Sequence, residues 1–199
     1  TFDHKTSLSE LNNVKYISID LTDNYRDIAK AYFPKAIICA DSFHVLKHLT
    51  DDFRKIRTRC RRNTQDETLV YLLTKFKYIF NFGIDLDNTP RYNKHFKRYM
   101  NYRDIISIIF NNFPELERAY ELKNQYILFN RTADYKNAKE DLSDLIRKFG
   151  ESNIKEYEEF YNLLINWNQE IINSFIKVRS KRINNSYIES RNAKIERLI

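Results

Sequence analysis

Residues 14–44 read VKYISID-LTDNYRDIAKAYFPK-AIICAD-SFH, and this stretch decides the fold. Val14 to Asp20 is a short apolar run of strand character, and Ala36 to Asp41 is a second. Between them, Thr22 and Asp23 are suited to start a helix. Tyr25, Ile28, Ala29, Tyr32 and Phe33 recur along it at helical spacing, and Pro34 stops it. A strand, a crossover helix and a second strand make parallel neighbours in one sheet. Parallel neighbours end on the same side, so Asp20 and Asp41 are expected at one sheet edge, close enough to share a cation.

Outward from this unit the chain reads as helix. Only two Gly and three Pro occur in 199 residues, which favours long helices on short polar links over a many-stranded sandwich. A helix is expected from His44 to about Arg62, burying Val45, Leu46, Leu49, Phe53 and Ile56. Further helices are expected near Asp66 to Phe82, Arg91 to Asn112, Pro114 to Phe129, Ala133 to Phe149 and Ile154 to Val178. Gly150 reads as the stop of the Ala133 helix. A last helix starts near Ser186. The predicted class is α+β, predominantly α, organised as residues 1–62 (strand-helix-strand-helix), 63–178 (a helical insertion) and 179–199 (a C-terminal helix returning to the core).

Composition narrows the function classes. The formal charge of +7 permits a polyanionic partner. The two cysteines, Cys39 and Cys60, form no Cys-x-x-Cys pair. That excludes a zinc ribbon and a disulfide framework, and a reduced cytoplasmic setting is the expectation. No apolar run is long enough to span a bilayer, so no membrane partner is expected. The chain starts without Met and stops within the expected last helix, which reads as a piece of a longer protein.

Each candidate site residue has a structural reading beside its functional one. Asp20 could be a turn residue or a ligand in the crevice beyond the strand ends. Asp41 could cap the helix it precedes, or with His44 support a metal-bound carboxylate. His44 and His48 have zinc-helix spacing, but no Glu follows His44 and no third ligand is evident. Ser186 and Glu189 fit a capping box, though the same first-turn Glu could bind metal. Three basic clusters could hold phosphates. The first centres on Arg57, Arg59, Arg61 and Arg62, with Arg54 and Lys55 beside them. The second is Lys177, Arg179, Lys181 and Arg182, and the third includes Arg191, Lys194 and Arg197.

Taken in order, these residues resemble a known pattern. Ile19-Asp20-Leu21, Tyr25, Phe33-Pro34-x-Ala36 and Ala40-Asp41-Ser42-Phe43-His44-Val45 look like the middle of an insertion-sequence DDE transposase of the ISL family. Asn185-Ser186-x-x-Glu189-x-x-Asn192-x-Lys194-Ile195 looks like its C-terminal signature. The resemblance implies a partial ribonuclease-H-like core with a helical insertion before its last acid. It implies two Mg²⁺ or Mn²⁺ ions, DNA cleavage and strand transfer, and DNA (transposon ends and target) as partner. By position Asp20 matches the second acid and Glu189 the third, both catalytic and metal-binding. Asp41 and His44 match the element that follows the second acid. The first acid is expected upstream of Thr1, so this chain alone is expected to bind metal weakly and to lack cleavage activity. Missing strands beside Val14 to Asp20 would favour self-association, or a helix over that edge. Ser42 and Ser190 depart from the family's usual Arg and Gly. The competing readings are a helical nucleic-acid-binding module without chemistry and a protein-interaction bundle.

Overall fold

The computed structural model describes residues 11–183. β1 (Tyr16–Ile19), α1 (Asp23–Tyr32) and β2 (Ile37–Ala40) form the expected unit, with β1 and β2 parallel and Ile19 in register with Ala40. The Asp41 N–H donates to the Ile19 carbonyl at 2.9 Å, which closes the ladder and brings Asp41 beside Asp20. The order of these elements thus sets both the strand direction and the edge at which the two carboxylates emerge.

The apolar stripe of α1 is mostly left uncovered. Of its apolar stripe only Ala29 is buried, whereas Tyr25, Ile28 and Tyr32 are about half exposed. Two strands spaced about 5 Å apart make a floor narrower than a helix, so the larger side chains overhang it. Arg26, one turn before Ala29 on the inward face, fastens α1 instead. Its guanidinium lies 3.6 Å from the Trp167 ring centroid and donates to the Asn166 carbonyl at 3.1 Å.

α2 (Ser42–Asn63) is the spine of the molecule, about 33 Å long at helical rise. Val45, Leu49, Phe53 and Ile56 line one buried face as expected, Cys60 continues it at the same spacing, and Leu46 is partly buried. α3 (Glu67–Lys75) follows, capped by Asp66, and a short 3₁₀ turn spans Lys77–Phe80. The expected helix from Arg91 is corrected in its first half. β3 (Arg91–Asn93) and β4 (Arg98–Met100) form an antiparallel hairpin, and α4 (Tyr102–Asn112) begins only after Asn101 and Asp104 close a capping box. Lys97 takes φ 52°, which no helix interior allows.

α5 (Pro114–Thr132) packs along α2 and opens on Pro114 as expected. α6 (Ala138–Glu151) runs through Gly150, which is therefore not its stop. A Cβ there would meet Tyr161 Cε2 at 2.9 Å, so Gly150 serves close packing, and Asn153 at φ 54° makes the turn. The single helix expected over Ile154 to Val178 is also corrected. It divides into a 3₁₀ turn (Lys155–Tyr157), α7 (Glu158–Asn166) and α8 (Asn168–Asn173), then the hairpin β5 (Lys177–Val178) and β6 (Lys181–Arg182).

One hydrophobic core runs from Ile19 and Ala40 through α2 to Phe175, just beyond α8. Its centre is aromatic: Tyr126, Phe149, Tyr157 and Phe160 pack with ring centroids about 5 Å apart. The Tyr157 hydroxyl donates to the Ala119 carbonyl at 2.8 Å. α8 seals the β2 side of the small sheet, where Asn173 Nδ2 donates to the Ile38 carbonyl at 2.8 Å. Ile38 lies between the residues that bond to β1, so this bond covers the outer edge of β2. Among the described residues β1 has no strand neighbour other than β2.

Candidate metal centre

The site grows from the ends of the two parallel strands. Asp20 follows β1, Asp41 follows β2, and His44 stands on the first turn of α2, one turn above Asp41. One carboxylate oxygen from each aspartate and a ring nitrogen of His44 lie within 4.8 Å of one another. His44 Nε2 is 3.1 Å from Asp20 Oδ1, an ion pair whenever the imidazole is protonated. The Phe43 ring meets the imidazole edge-on, with centroids 5.4 Å apart.

Asp41 combines both readings open in the sequence. Its Oδ1 accepts the Phe43 N–H at 3.0 Å, so it does cap α2. The residue is only 2% exposed, and its Oδ2 has no hydrogen-bond partner among the described residues. A buried carboxylate oxygen without a donor is costly unless a cation neutralises it. The donor set therefore fits a divalent ion. Carboxylate oxygens suit Mg²⁺ or Mn²⁺, whereas imidazole is a poorer ligand for such hard cations. Asp20 and Asp41 are accordingly the residues that could hold such an ion, with His44 in contact with Asp20.

The other expected site residues divide. Glu189, Arg191 and Lys194 lie outside the described residues, as does Arg197. In the cluster on α2, Arg59 holds two carboxylates, Glu156 at 2.6 Å and Glu115 at 3.0 Å. Arg57 donates to the Leu73 carbonyl, and burial lowers its pKa, with Arg61 and Arg54 adding repulsion. Arg62, exposed at the end of the helix, and Arg54 border an open basic hollow of about 500 Å³. In the second cluster Lys177, Arg179 and Lys181 are exposed on the β5–β6 hairpin. Arg182 turns inward over the Phe175 ring, bonding Ser174 and Asn130, and anchors the hairpin near Cys39 on β2.

Three further residues escaped the sequence reading: Arg26, Asn173 and Lys123. Lys123 is buried on α5 with its Nζ donating to the Phe80 carbonyl and lying over the Phe53 and Tyr120 rings. Burial pushes its pKa down to about 8. For Arg26 and Lys123 the available signal was a cation set among the apolar positions of a helix. Asn173 offered none.

The described fold is mostly helical, with a parallel strand pair and two aspartates converging at its shared edge, in a chain of net positive charge. A family model described as Transposase, that of the DDE transposases of the ISL3 group, matches residues 1–199. The chain belongs to that family. Membership makes it related to enzymes of the transposase kind, which act on DNA and use divalent metals. No curated protein and no solved structure matches the chain. None of the described helices is long and apolar enough to cross a membrane.

Proposed function

We propose that this chain carries part of the catalytic centre of a DDE transposase, with Asp20 and Asp41 binding a divalent ion, His44 positioning Asp20, and Glu189 contributing the third carboxylate. The observation that carries the reading is the convergence of Asp20, Asp41 and His44, with a buried and unpartnered oxygen on Asp41. When bound, divalent ions activate a water or a 3′-hydroxyl and stabilise the leaving oxygen. In the first step the water oxygen bonds to phosphorus as the P–O3′ bond breaks, releasing a 3′-hydroxyl. In the second, that hydroxyl bonds to a target phosphorus and displaces the target's own 3′-oxygen. The protein's part is to fix the carboxylates: β1 and β2 set their separation, the cap on α2 fixes one oxygen of Asp41, and His44 fixes Asp20.

The same reading takes β1, α1 and β2 as the parallel part of a ribonuclease-H-like core, residues 63–178 as its insertion and residues 179–199 as the returning segment. DNA phosphates are assigned to Arg61, Arg62, Lys177, Arg179, Lys181, Arg191 and Lys194. Arg57, Arg59 and Arg182 have protein partners and support these segments from within. Self-association belongs to the reading because β1 has no outer strand neighbour among the described residues, and such an edge templates pairing with another chain. Sedimentation showing only monomer would remove that element.

The test is strand cleavage and transfer on DNA with Mg²⁺ or Mn²⁺ in the parent protein. Asp20→Ala and Glu189→Ala should abolish both reactions while DNA affinity stays within about twofold, since neither carboxylate holds phosphate. Unchanged reactions would favour a non-catalytic binding module. Metal-dependent nicking by the present chain alone would mean that Asp20, Asp41 and Glu189 form a complete set.

A further inference from the structure

Residues 91–100, RYNKHFKRYM, form the β3–β4 hairpin that sequence periodicity conceals. Arg91, Lys94, Lys97 and Arg98 are all exposed, and no acidic residue lies in the segment. None of the four takes part in an ion pair among the described residues. The nearest acids in sequence are already engaged. Asp87 binds Arg103 at 2.6 Å, and Asp104 accepts the Asn101 N–H at 3.0 Å in the α4 capping box. The hairpin is therefore a concentrated patch of uncompensated positive charge.

The same hairpin displays two tyrosines. Tyr92 and Tyr99 are direct cross-strand partners with ring centroids 5.5 Å apart, and they are 55% and 70% exposed. A cross-strand aromatic pair stabilises a hairpin by itself. That role alone does not account for an arginine next to each tyrosine in the chain, Arg91 before Tyr92 and Arg98 before Tyr99.

The hairpin is also firmly held. His95 stacks on Tyr71 at 4.7 Å and 18° and lies 3.0 Å from the Thr68 hydroxyl. Asn93 is buried and accepts the His95 and Phe96 N–H groups, while Met100 is buried in the core. The exposed rings and charges thus stand on a fixed ridge. Behind Tyr92 a cleft of about 330 Å³ is lined by Tyr71, Tyr78, Tyr102, Lys75 and Arg91.

We propose that this hairpin contacts DNA by stacking unpaired bases on Tyr92 and Tyr99, with Arg91, Lys94, Lys97 and Arg98 holding the flanking phosphates. The inference rests on the reading of the chain as a DNA-processing protein. Single-stranded nucleic acid is held by this combination of cationic track and stacking aromatics. A paired base hides its faces within the duplex, so a tyrosine ring meets one only at an end, a nick or an extruded nucleotide. A duplex-only contact would use the cations and not the exposed ring faces.

The test is fluorescence anisotropy of the full 199-residue chain with labelled single-stranded and duplex oligonucleotides over a range of salt. Tyr92→Ala and Tyr99→Ala should each weaken single-strand binding about 5- to 100-fold, with the salt slope and duplex affinity nearly unchanged. Tyr99→Phe should restore binding, because the ring and not the hydroxyl stacks. Arg91→Gln with Arg98→Gln should weaken both forms and lower the salt slope by about one for each phosphate no longer neutralised. A 2-aminopurine base in the single strand should be quenched by the wild type and not by the double tyrosine variant. Trp167 fluorescence, from the sole tryptophan, verifies that each variant is folded. DNA binding that ignores both tyrosines overturns the hairpin proposal and leaves the DNA-processing reading standing. Absence of salt-dependent binding to either DNA form overturns both.

Discussion

Replacing Asp41 by Asn separates the two duties of that residue. The cap bond from the Phe43 N–H to Oδ1 is one an Asn oxygen can accept equally well, so α2 keeps its start. What changes is Oδ2, buried with no partner among the described residues. Exchanging that unsatisfied buried charge for a neutral amide NH2, which still seeks acceptors, recovers at most about 1–3 kcal/mol. Losing a negative charge at a helix N-terminus costs about 0.3–1 kcal/mol in return. The metal-free Asp41→Asn protein should therefore be more stable than the wild type by at most about 1–2 kcal/mol, or about 2–4 °C in Tm for each kcal/mol in a chain of this size. Urea unfolding followed by the single Trp167 measures it, because that ring is buried at the α7–α8 junction. Adding Mn²⁺ should then stabilise the wild type progressively and the variant hardly at all, as mass action requires. A variant destabilised by more than about 1 kcal/mol without metal would refute the reasoning that Asp41 is an under-neutralised ligand. It would make the residue a structural cap alone.

Three other outcomes follow from polar groups that the fold engages. Lys123 has its pKa lowered by burial from 10.5 to about 8, so the unfolded chain binds more protons between those values and stability should rise with pH there. Relative to Lys123→Met, the wild type should gain about 1.4 kcal/mol per pH unit across that window, and parallel pH dependences would contradict the assignment. Arg59→Ala should cost about 1 kcal/mol of stability, discounted for partial exposure of the guanidinium, while DNA affinity at fixed salt stays the same. A large fall in DNA affinity with unchanged stability would return Arg59 to the phosphate contacts. Tyr157→Phe removes the hydroxyl's bond to the Ala119 carbonyl, which keeps its place in the helical ladder, and should cost about 1 kcal/mol, seen as a lower urea midpoint at constant m-value.

The placement of Asp20 and Asp41 was legible in the sequence because it depends on local rules. Two short apolar runs, each ended by an acid and separated by one helix, leave only a right-handed parallel arrangement. The two aspartates are then neighbours whatever the rest of the chain does. The α2 core face was legible for a similar reason, since Val45, Leu49, Phe53 and Ile56 repeat over several turns. The β3–β4 hairpin was not, because Tyr92, Phe96 and Tyr99 fall at spacings of four and three, which a helix would also show. The turn that decides against a helix depends on Asn93 bonding forward and on Lys97 in a left-handed conformation.

Periodicity also says which face of α1 could be buried and nothing about whether a partner is wide enough to cover it. That is why the exposure of Tyr25, Ile28 and Tyr32 could not be read from their spacing. The break at Trp167 has neither Gly nor Pro to announce it. The Asn166 carbonyl is taken by Arg26 from 140 residues away, a contact that exists only in the folded chain. The engagement of Arg59 with Glu115 and Glu156 is invisible for the same reason. A run of basic residues does not reveal which of them have acids folded against them.

The proposed chemistry stands or falls on whether Asp20 and Asp41 together hold a divalent ion at the end of the parallel strand pair. Mn²⁺ titration followed by electron paramagnetic resonance, on the wild type and on Asp20→Asn and Asp41→Asn, is the decisive measurement. The expected outcome is a site that is weak but saturable in the wild type and lost in both variants, with His44→Gln retaining Mn²⁺ at lower affinity. Equal Mn²⁺ occupancy in the wild type and both aspartate variants would show that these carboxylates do not form the site.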